Sequence, residues 1–185
     1  TPLVCMSRTV DYTRVQPGDA LITFSKVGVL SVAEDLRQSG KEPAIIYGAL
    51  PYSTRRKQME GFLNGDMEYI VSTDAIGMGL NLPIRRIIFM ETEKFDGVER
   101  RELKPEEIKQ IAGRAGRRGM YPKGYVGATE NLAFIRAGLE TVIPPIQYAV
   151  AGFSDLVLKV DFDLLEVLTE WNKLPTVEPY RKLDI

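Results

Sequence analysis

The sequence predicts an α/β fold: a parallel sheet with helices on both faces, followed by a small helical appendage. Three observations carry this reading. Short apolar runs of strand length recur at residues 20–24, 44–47, 69–71 and 87–89. Amphipathic helical patterns separate the first three of them. Past about residue 130 the alternation gives way to helical periodicity broken by prolines. Strand–helix alternation implies parallel strands, because each helix carries the chain back across a face of the sheet.

Each element has its own local reason. Ala20, Leu21, Ile22 and Phe24 make a nearly continuous apolar run, as a strand covered on both faces requires. Val29, Val32, Ala33 and Leu36 then recur at i, i+3, i+4 and i+7, predicting a helix that stops at Gly40. A second strand follows at 44–47. After it comes a helix from Ser53, as N-cap, to Leu63, with Met59, Phe62 and Leu63 facing inward. Strands at 69–71 and 87–89 come next. Asp96-Gly97 is a turn signal. Pro105 suits a first helical position, with Glu106 and Glu107 at the positive end of the helix. Tyr125 and Val126 begin a last short strand. Residues 132–139 read as helix, Pro144 and Pro145 break the chain, and Leu164, Leu165, Leu168 and Trp171 mark another amphipathic helix with Trp171 as its anchor. Residues 173–180 read as extended. The expected division is 1–130 for the sheet domain and 131–185 for the helical appendage.

Composition bounds the chemistry. The chain has 185 residues, 44% hydrophobic and 26% charged, as in a globular domain with a real core. Its net charge of −1 means that any nucleic-acid surface must be local. With no histidine, His triads, His metal sites and His proton relays are excluded. The single cysteine, Cys5, near a frayed end, rules out an internal disulfide and suits a reducing compartment. No apolar run has the length of a membrane span, the first residues carry no signal-peptide pattern, and no membrane partner is expected. The chain opens at Thr1 without a methionine and reads as a piece of something longer.

In open parallel sheets, ligands gather at the carboxyl ends of the strands. The polar residues follow the predicted strands in that way. Phe24, Ser25 and Lys26 close the first; Tyr47 and Gly48 close the second and lead to Arg55. The third ends in a loop from Ser72 to Pro83, where Gly77 and Gly79 permit close backbone approach and Thr73, Asp74 and Asn81 supply hydrogen-bonding groups. Without a third glycine at Rossmann spacing, dinucleotide binding is not expected. The fourth segment runs from Gln110 to Gly119. If helical, it places Gln110, Arg114 and Arg117 on one stripe at i, i+4 and i+7, opposite Ile108, Ile111, Ala112 and Ala115. A rigid pair of guanidiniums suits a polyphosphate. Bland readings stand beside these: a solvated Arg-rich face for Arg114 and Arg117, glycines that merely turn the chain, and an Arg55–Glu60 pair. Arg85, Arg86, Arg100, Arg101 and Arg118 read as solvated or strand-flanking, with an RNA path for one or two of them as the alternative.

In order, these four segments resemble motifs IV, IVa, V and VI of the second RecA-like domain of superfamily two helicases. Thr73 to Asn81, together with Ile84 to Phe89, is similar to the mitochondrial-degradosome (Suv-type) RNA helicases. Lys94-Phe95-Asp96-Gly97 ahead of Gln110 to Gly119 also resembles exosome-associated helicases of the Ski type. The resemblance covers residues 17–130 well and implies a RecA-like sheet. By position it implies that Arg114 and Arg117 steady the γ-phosphate of ATP, and that Gln110 links the nucleotide to the cleft. It implies that Gly79, Asn81 and Asp74 lie on the nucleotide side. Thr73, Gly48, Arg55, Ser25 and Lys26 would lie on nucleic-acid phosphates. No metal ligand is assigned.

The implied cofactors are ATP and Mg²⁺, held mainly by an N-terminal RecA-like domain absent from this chain. The chain has no Gly-x-x-x-x-Gly-Lys-Ser/Thr loop and no apolar strand ending in Asp-Glu-x-Asp/His. Alone it is expected to be inactive; the complete protein is expected to be an ATP-dependent RNA helicase working in RNA decay. Its expected partners are single-stranded or partly duplex RNA, the N-terminal domain in cis and an exoribonuclease. Bacterial cytoplasm and mitochondrial matrix both suit it. Two other readings stay open: a DNA helicase or translocase of the same architecture, and a non-catalytic RecA-like module that binds RNA or a protein.

Overall fold

The computed structural model describes residues 2–77, 81–116, 120–145, 147–151 and 163–182. It divides into two compact units, Thr1–Val142 and Ile143–Ile185. The first unit holds strands β1 (Leu3–Cys5), β2 (Asp19–Ile22), β3 (Pro43–Ile46), β4 (Tyr69–Ser72), β5 (Arg86–Phe89) and β8 (Gly124–Ala128) in one six-stranded sheet of order β1-β8-β5-β2-β4-β3. Every pairing in that sheet is parallel. Its helices are α1 (Lys26–Gln38), α2 (Tyr52–Asn64), α3 (Pro105–Ala112) and α4 (Leu132–Glu140). A separate antiparallel hairpin of β6 (Glu93–Phe95) and β7 (Arg100–Glu102) turns at Asp96 and Gly97.

The two faces of the sheet sort the apolar residues by strand period. Ala20, Ile22, Ile70, Ile87 and Phe89 pack with Phe62 of α2, Ile108 and Ile111 of α3 and Ile135 of α4. Leu21, Val71 and Ile88 pack with Val29, Val32, Ala33 and Leu36 of α1. Both faces are covered, which is why β2, β4 and β5 read as unbroken apolar runs. The α/β class with helices on both faces is the one read from the sequence.

Several local expectations are corrected. The boundary falls at 142/143 rather than 130/131, because α4 buries Leu132 and Ile135 in the core shared with Ile108 and Ile111. Cys5 is not in a frayed end: it lies in β1, pairs opposite Val126 and packs against the core. Three residues at a sheet edge carry too little periodicity to announce themselves. Helix α2 begins at Tyr52, with Pro51 at the cap position, so Ser53 lies in its first turn and does not cap it. Met59 and Phe62 face the core as expected, but Leu63 is 49% exposed. Arg86 is not solvated: its Nε donates to Asp19 Oδ1 at 2.6 Å and its Nη2 to Asp19 Oδ2, and Asp19 is wholly buried. Asp19 and Arg86 are register partners on neighbouring strands, an arrangement that sequence distance hides.

In the second unit, α5 (Leu164–Lys173) is capped by Asp163, whose Oδ1 accepts from the Leu165 amide at 2.9 Å. Strands β9 (Ala149–Ala151) and β10 (Tyr180–Lys182) pair in parallel, so the extended stretch ends in a short strand and the appendage is not purely helical. Lys182 Nζ donates to the Trp171 and Asn172 carbonyls at 2.6 and 3.1 Å, a cation placed at the negative end of α5.

Candidate functional site

The carboxyl ends of β2, β3 and β4 bring three of the four predicted segments to one edge of the sheet. The Thr23 amide donates to Ser72 O at 3.0 Å, and the Thr73 amide to Ile46 O at 3.1 Å. Thr73 Oγ1 accepts from the Ala75 amide at 3.2 Å, opening a 3₁₀ turn over Asp74–Gly77. Ser25 caps α1, its Oγ accepting from the Gly28 amide at 2.9 Å. Lys26 is exposed, and its Nζ stands 5.6 Å from the centroid of the Tyr47 ring. Gly48 is exposed and a side chain there would meet nothing within 4 Å.

Arg55 does not pair with Glu60. Its Nη2 donates to Gly48 O at 2.7 Å and reaches Leu50 O and Tyr47 O at 3.4 and 3.5 Å, clamping the loop after β3 from α2. Arg56 takes Glu60 instead, at 2.7 Å. One residue of helical phase separates the two outcomes: 56 and 60 are i and i+4, whereas 55 and 60 are not neighbours on a helix.

The fourth segment is helical only to Ala112. Beyond it the chain tightens into turns, with Arg114 N donating to Ile111 O at 3.0 Å and Ala115 N to Ala112 O at 2.9 Å. Ala115 then forms a parallel bridge with Ile84. The helix therefore does not carry Gln110 and Arg114 on one helical stripe. Gln110 and Arg114 nevertheless converge on one loop: Arg114 Nη2 donates to Gly77 O. A Cβ at Gly77 would stand 3.3 Å from Gln110 Cγ, so glycine there permits the approach. Arg117 and Gly79 lie outside the described residues, and Asn81 is exposed.

A chain of charges locks the same region. Asp74 Oδ2 receives Lys94 Nζ at 2.6 Å, and Lys94 also stands 3.3 Å from Glu107 Oε1. Glu107 takes a bidentate fork from Arg101 at 3.0 and 3.1 Å, and Arg101 Nε reaches Asp96 Oδ2 at 2.9 Å. Glu107 Oε2 further accepts from the Lys104 amide at 2.8 Å, closing the start of α3. The hydrogen-bonded Arg101 fork outweighs burial and holds the Glu107 carboxyl down at about 2. Asp96 also sits at about 2, held by the Glu99 and Val98 amides and then by Arg101. Burial pulls Lys94 down, but its hydrogen bonds to Asp74 and Glu107 prevail and raise it. Asp74, Lys94, Glu107, Gln110 and Ile111 line a recess of about 110 Å³. Among the described residues no cluster of His, Cys, Asp or Glu is placed to hold a metal ion.

The helicase conserved C-terminal domain family matches residues 5–119, which include strands β2 to β5 of the sheet, the Asp74–Gly77 turn and helix α3, and stop short of β8. The chain belongs to this family. As a helicase C-terminal domain it is 41% identical over 156 residues to the mitochondrial ATP-dependent RNA helicase SUV3 of Oryza sativa subsp. japonica, covering 80% of this chain and 27% of that protein. It is 39% identical over 172 residues to the mitochondrial SUV3 homolog of Caenorhabditis elegans, covering 89% of this chain and 23% of that protein. Against SUV3 of Saccharomyces cerevisiae the identity is 36% over 150 residues, 76% of this chain and 20% of that protein. The chain thus spans about a quarter of the length of the curated relatives it matches. The Suv-type resemblance read from the motifs agrees with these similarities.

Among solved structures, a Saccharomyces cerevisiae Dbp5 variant bound to RNA and ADP BeF₃ aligns with a TM-score of 0.55 at 17% identity, covering 69% of this chain and 33% of that one. At that identity the likeness concerns the fold: a helicase-type RecA-like sheet. Lys94, Arg101 and Glu107 of this helicase domain are each named by the sequence reading, but their ion pairs with one another are not, nor is the Asp19–Arg86 pair. Glu107 alone left a sequence signal, three residues after Lys104 at a helix start; the others meet only through the tertiary fold.

Proposed function

We propose that this chain is the C-terminal motor domain of an ATP-dependent RNA helicase, supplying arginines to ATP and part of the path for single-stranded or partly duplex RNA. The observation that carries the reading is the convergence of Gln110 and Arg114 on Gly77 at the carboxyl edge of the sheet. It joins the loop that resembles motif V to the segment that resembles motif VI. In this reading Arg114 and Arg117 face the γ-phosphate, Gln110 links the nucleotide to the cleft, and Gly79, Asn81 and Asp74 lie beside it. Arg114 has five N–H donors and Gly77 O takes one, so the fork retains donors for an oxyanion. ATP with Mg²⁺, gripped mainly by an N-terminal RecA-like domain, supplies the bond that is cleaved.

RNA is held by its backbone along Thr73, Gly48, Arg55, Ser25 and Lys26. Two of these have a structural duty as well, since Arg55 clamps the 47–50 loop and Ser25 caps α1. Domain closure on ATP and reopening after hydrolysis shift that grip. The SUV3 relatives are named as mitochondrial, which favours the mitochondrial matrix for this protein, in RNA decay beside an exoribonuclease.

The test is ATP turnover by the complete protein with single-stranded RNA, single-stranded DNA or neither, beside Arg117→Ala. RNA stimulation that collapses about 10³-fold or more in the variant supports the reading. Stimulation by DNA alone moves the protein to the DNA class, and no turnover at all favours a binding module.

A further inference from the structure

The reading of this chain as a motor domain assigns no task to Lys94, although the fold gives it a central place. Lys94 stands on β6, outside the main sheet, with its side chain only 17% exposed. Its ammonium lies between two carboxylates on different elements: Asp74, on the turn after β4, and Glu107, on the first turn of α3. Thr73, proposed to touch RNA, directly precedes that turn, and Gln110, proposed to touch nucleotide, stands on α3.

The two carboxylates depend on Lys94 unequally. Glu107 keeps the Arg101 fork and the Lys104 amide if Lys94 is removed. Among the described residues Asp74 has Lys94 as its cation. The Asp74–Gly77 turn is a four-residue 3₁₀ segment, too short to fix its own orientation. It is tied to α3 by the Lys94 bridge and by Ile76, buried in the core shared with Ile108 and Ile111, and to the turn just past α3 by the Arg114–Gly77 bond. Loss of the ammonium also leaves two partly buried carboxylates facing each other across the recess, which pushes the turn and the helix apart.

We propose that Lys94 is a positioning residue that holds the Asp74–Gly77 turn and helix α3 as one rigid piece, so that RNA on Thr73 and nucleotide on Gln110 and Arg114 are sensed together. Without it, each ligand still binds but RNA no longer accelerates ATP turnover. The inference rests on the motor reading proposed above.

The experiment uses the complete protein and compares wild type with Lys94→Met, Lys94→Gln and Lys94→Arg. It reads ATP turnover with and without single-stranded RNA, RNA affinity by fluorescence anisotropy, and thermal melting. The expected result is that Met and Gln lower RNA-stimulated kcat about tenfold. Basal turnover, KM for ATP and RNA affinity stay within about twofold, and Arg restores most of the stimulation. Unchanged stimulation in Met and Gln overturns the inference while leaving the motor reading intact. So does a parallel fall of melting temperature, RNA affinity and basal turnover, which marks a merely structural tie. A wild type that lacks RNA-stimulated turnover overturns the motor reading and this inference with it.

Discussion

At the scale of single residues, the site is decided by which cation meets which acceptor. Arg55 and Arg56 are neighbours in sequence, yet one clamps backbone carbonyls and the other makes an exposed i,i+4 pair. Exposed pairs of that kind contribute little, whereas a guanidinium that closes a loop contributes more. Arg55→Ala is expected to destabilise the domain by about 1–3 kcal/mol, and Arg56→Ala by less than about 0.5 kcal/mol, both by urea denaturation. Glu107 gives a pH signature. Its folded pKa of about 2 lies below the ordinary 4.5, so its contribution is fully present above pH 4.5 and is lost as pH falls through about 2. Glu107→Gln is therefore expected to flatten the stability profile in that acid window and to leave the slope near pH 7 unchanged. An acid titration of thermal melting checks both.

At the scale of elements, two close contacts fix how the sheet carries the site. Strand β8 passes directly over the chain that follows α3. A Cβ on Gly124 would overlap the carbonyl oxygen and carbon of Ala115, both rigid backbone. Gly124→Ala is expected to cost about 1–3 kcal/mol or more and to shift the Arg114 turn, read as a lower denaturation midpoint. The buried Asp19–Arg86 pair ties β2 to β5 near their amino ends, away from the site. Breaking it with Arg86→Met strands a buried carboxylate and is expected to cost about 3–5 kcal/mol. Retention of RNA binding by the folded fraction would mark that pair as structural.

At the scale of the whole molecule, the division at 142/143 matters for what can be tested. Both apolar clusters are built from residues between 5 and 139, within the first unit. A fragment of residues 1–142 is therefore expected to fold cooperatively, with a single melting transition by circular dichroism. A fragment cut at residue 130 removes Leu132 and Ile135 from the α3 side of the core and is expected to aggregate or melt broadly. The chain of 185 residues by itself is expected to hydrolyse ATP negligibly; Arg117-dependent turnover by the isolated chain would refute that.

The sequence by itself determined the α/β class, most strands and helices of the first unit, and the segments that gather at the carboxyl edge. Each of those rests on local pattern: apolar runs at strand length, helical periodicity, and polar residues just past a strand end. The order of the strands, the edge strand at Leu3–Cys5, and the partners of Asp19, Arg86, Lys94 and Arg101 were decided only by the tertiary structure. The physical reason is that a charge finds its partner by proximity in space. Asp19 and Arg86 stand 67 residues apart, and Lys94 stands 20 from Asp74, so no helical or strand period brings them together. Even the end of α3 follows this rule, because the Ala115 bridge to Ile84 draws the chain out of the helix that its own periodicity would continue.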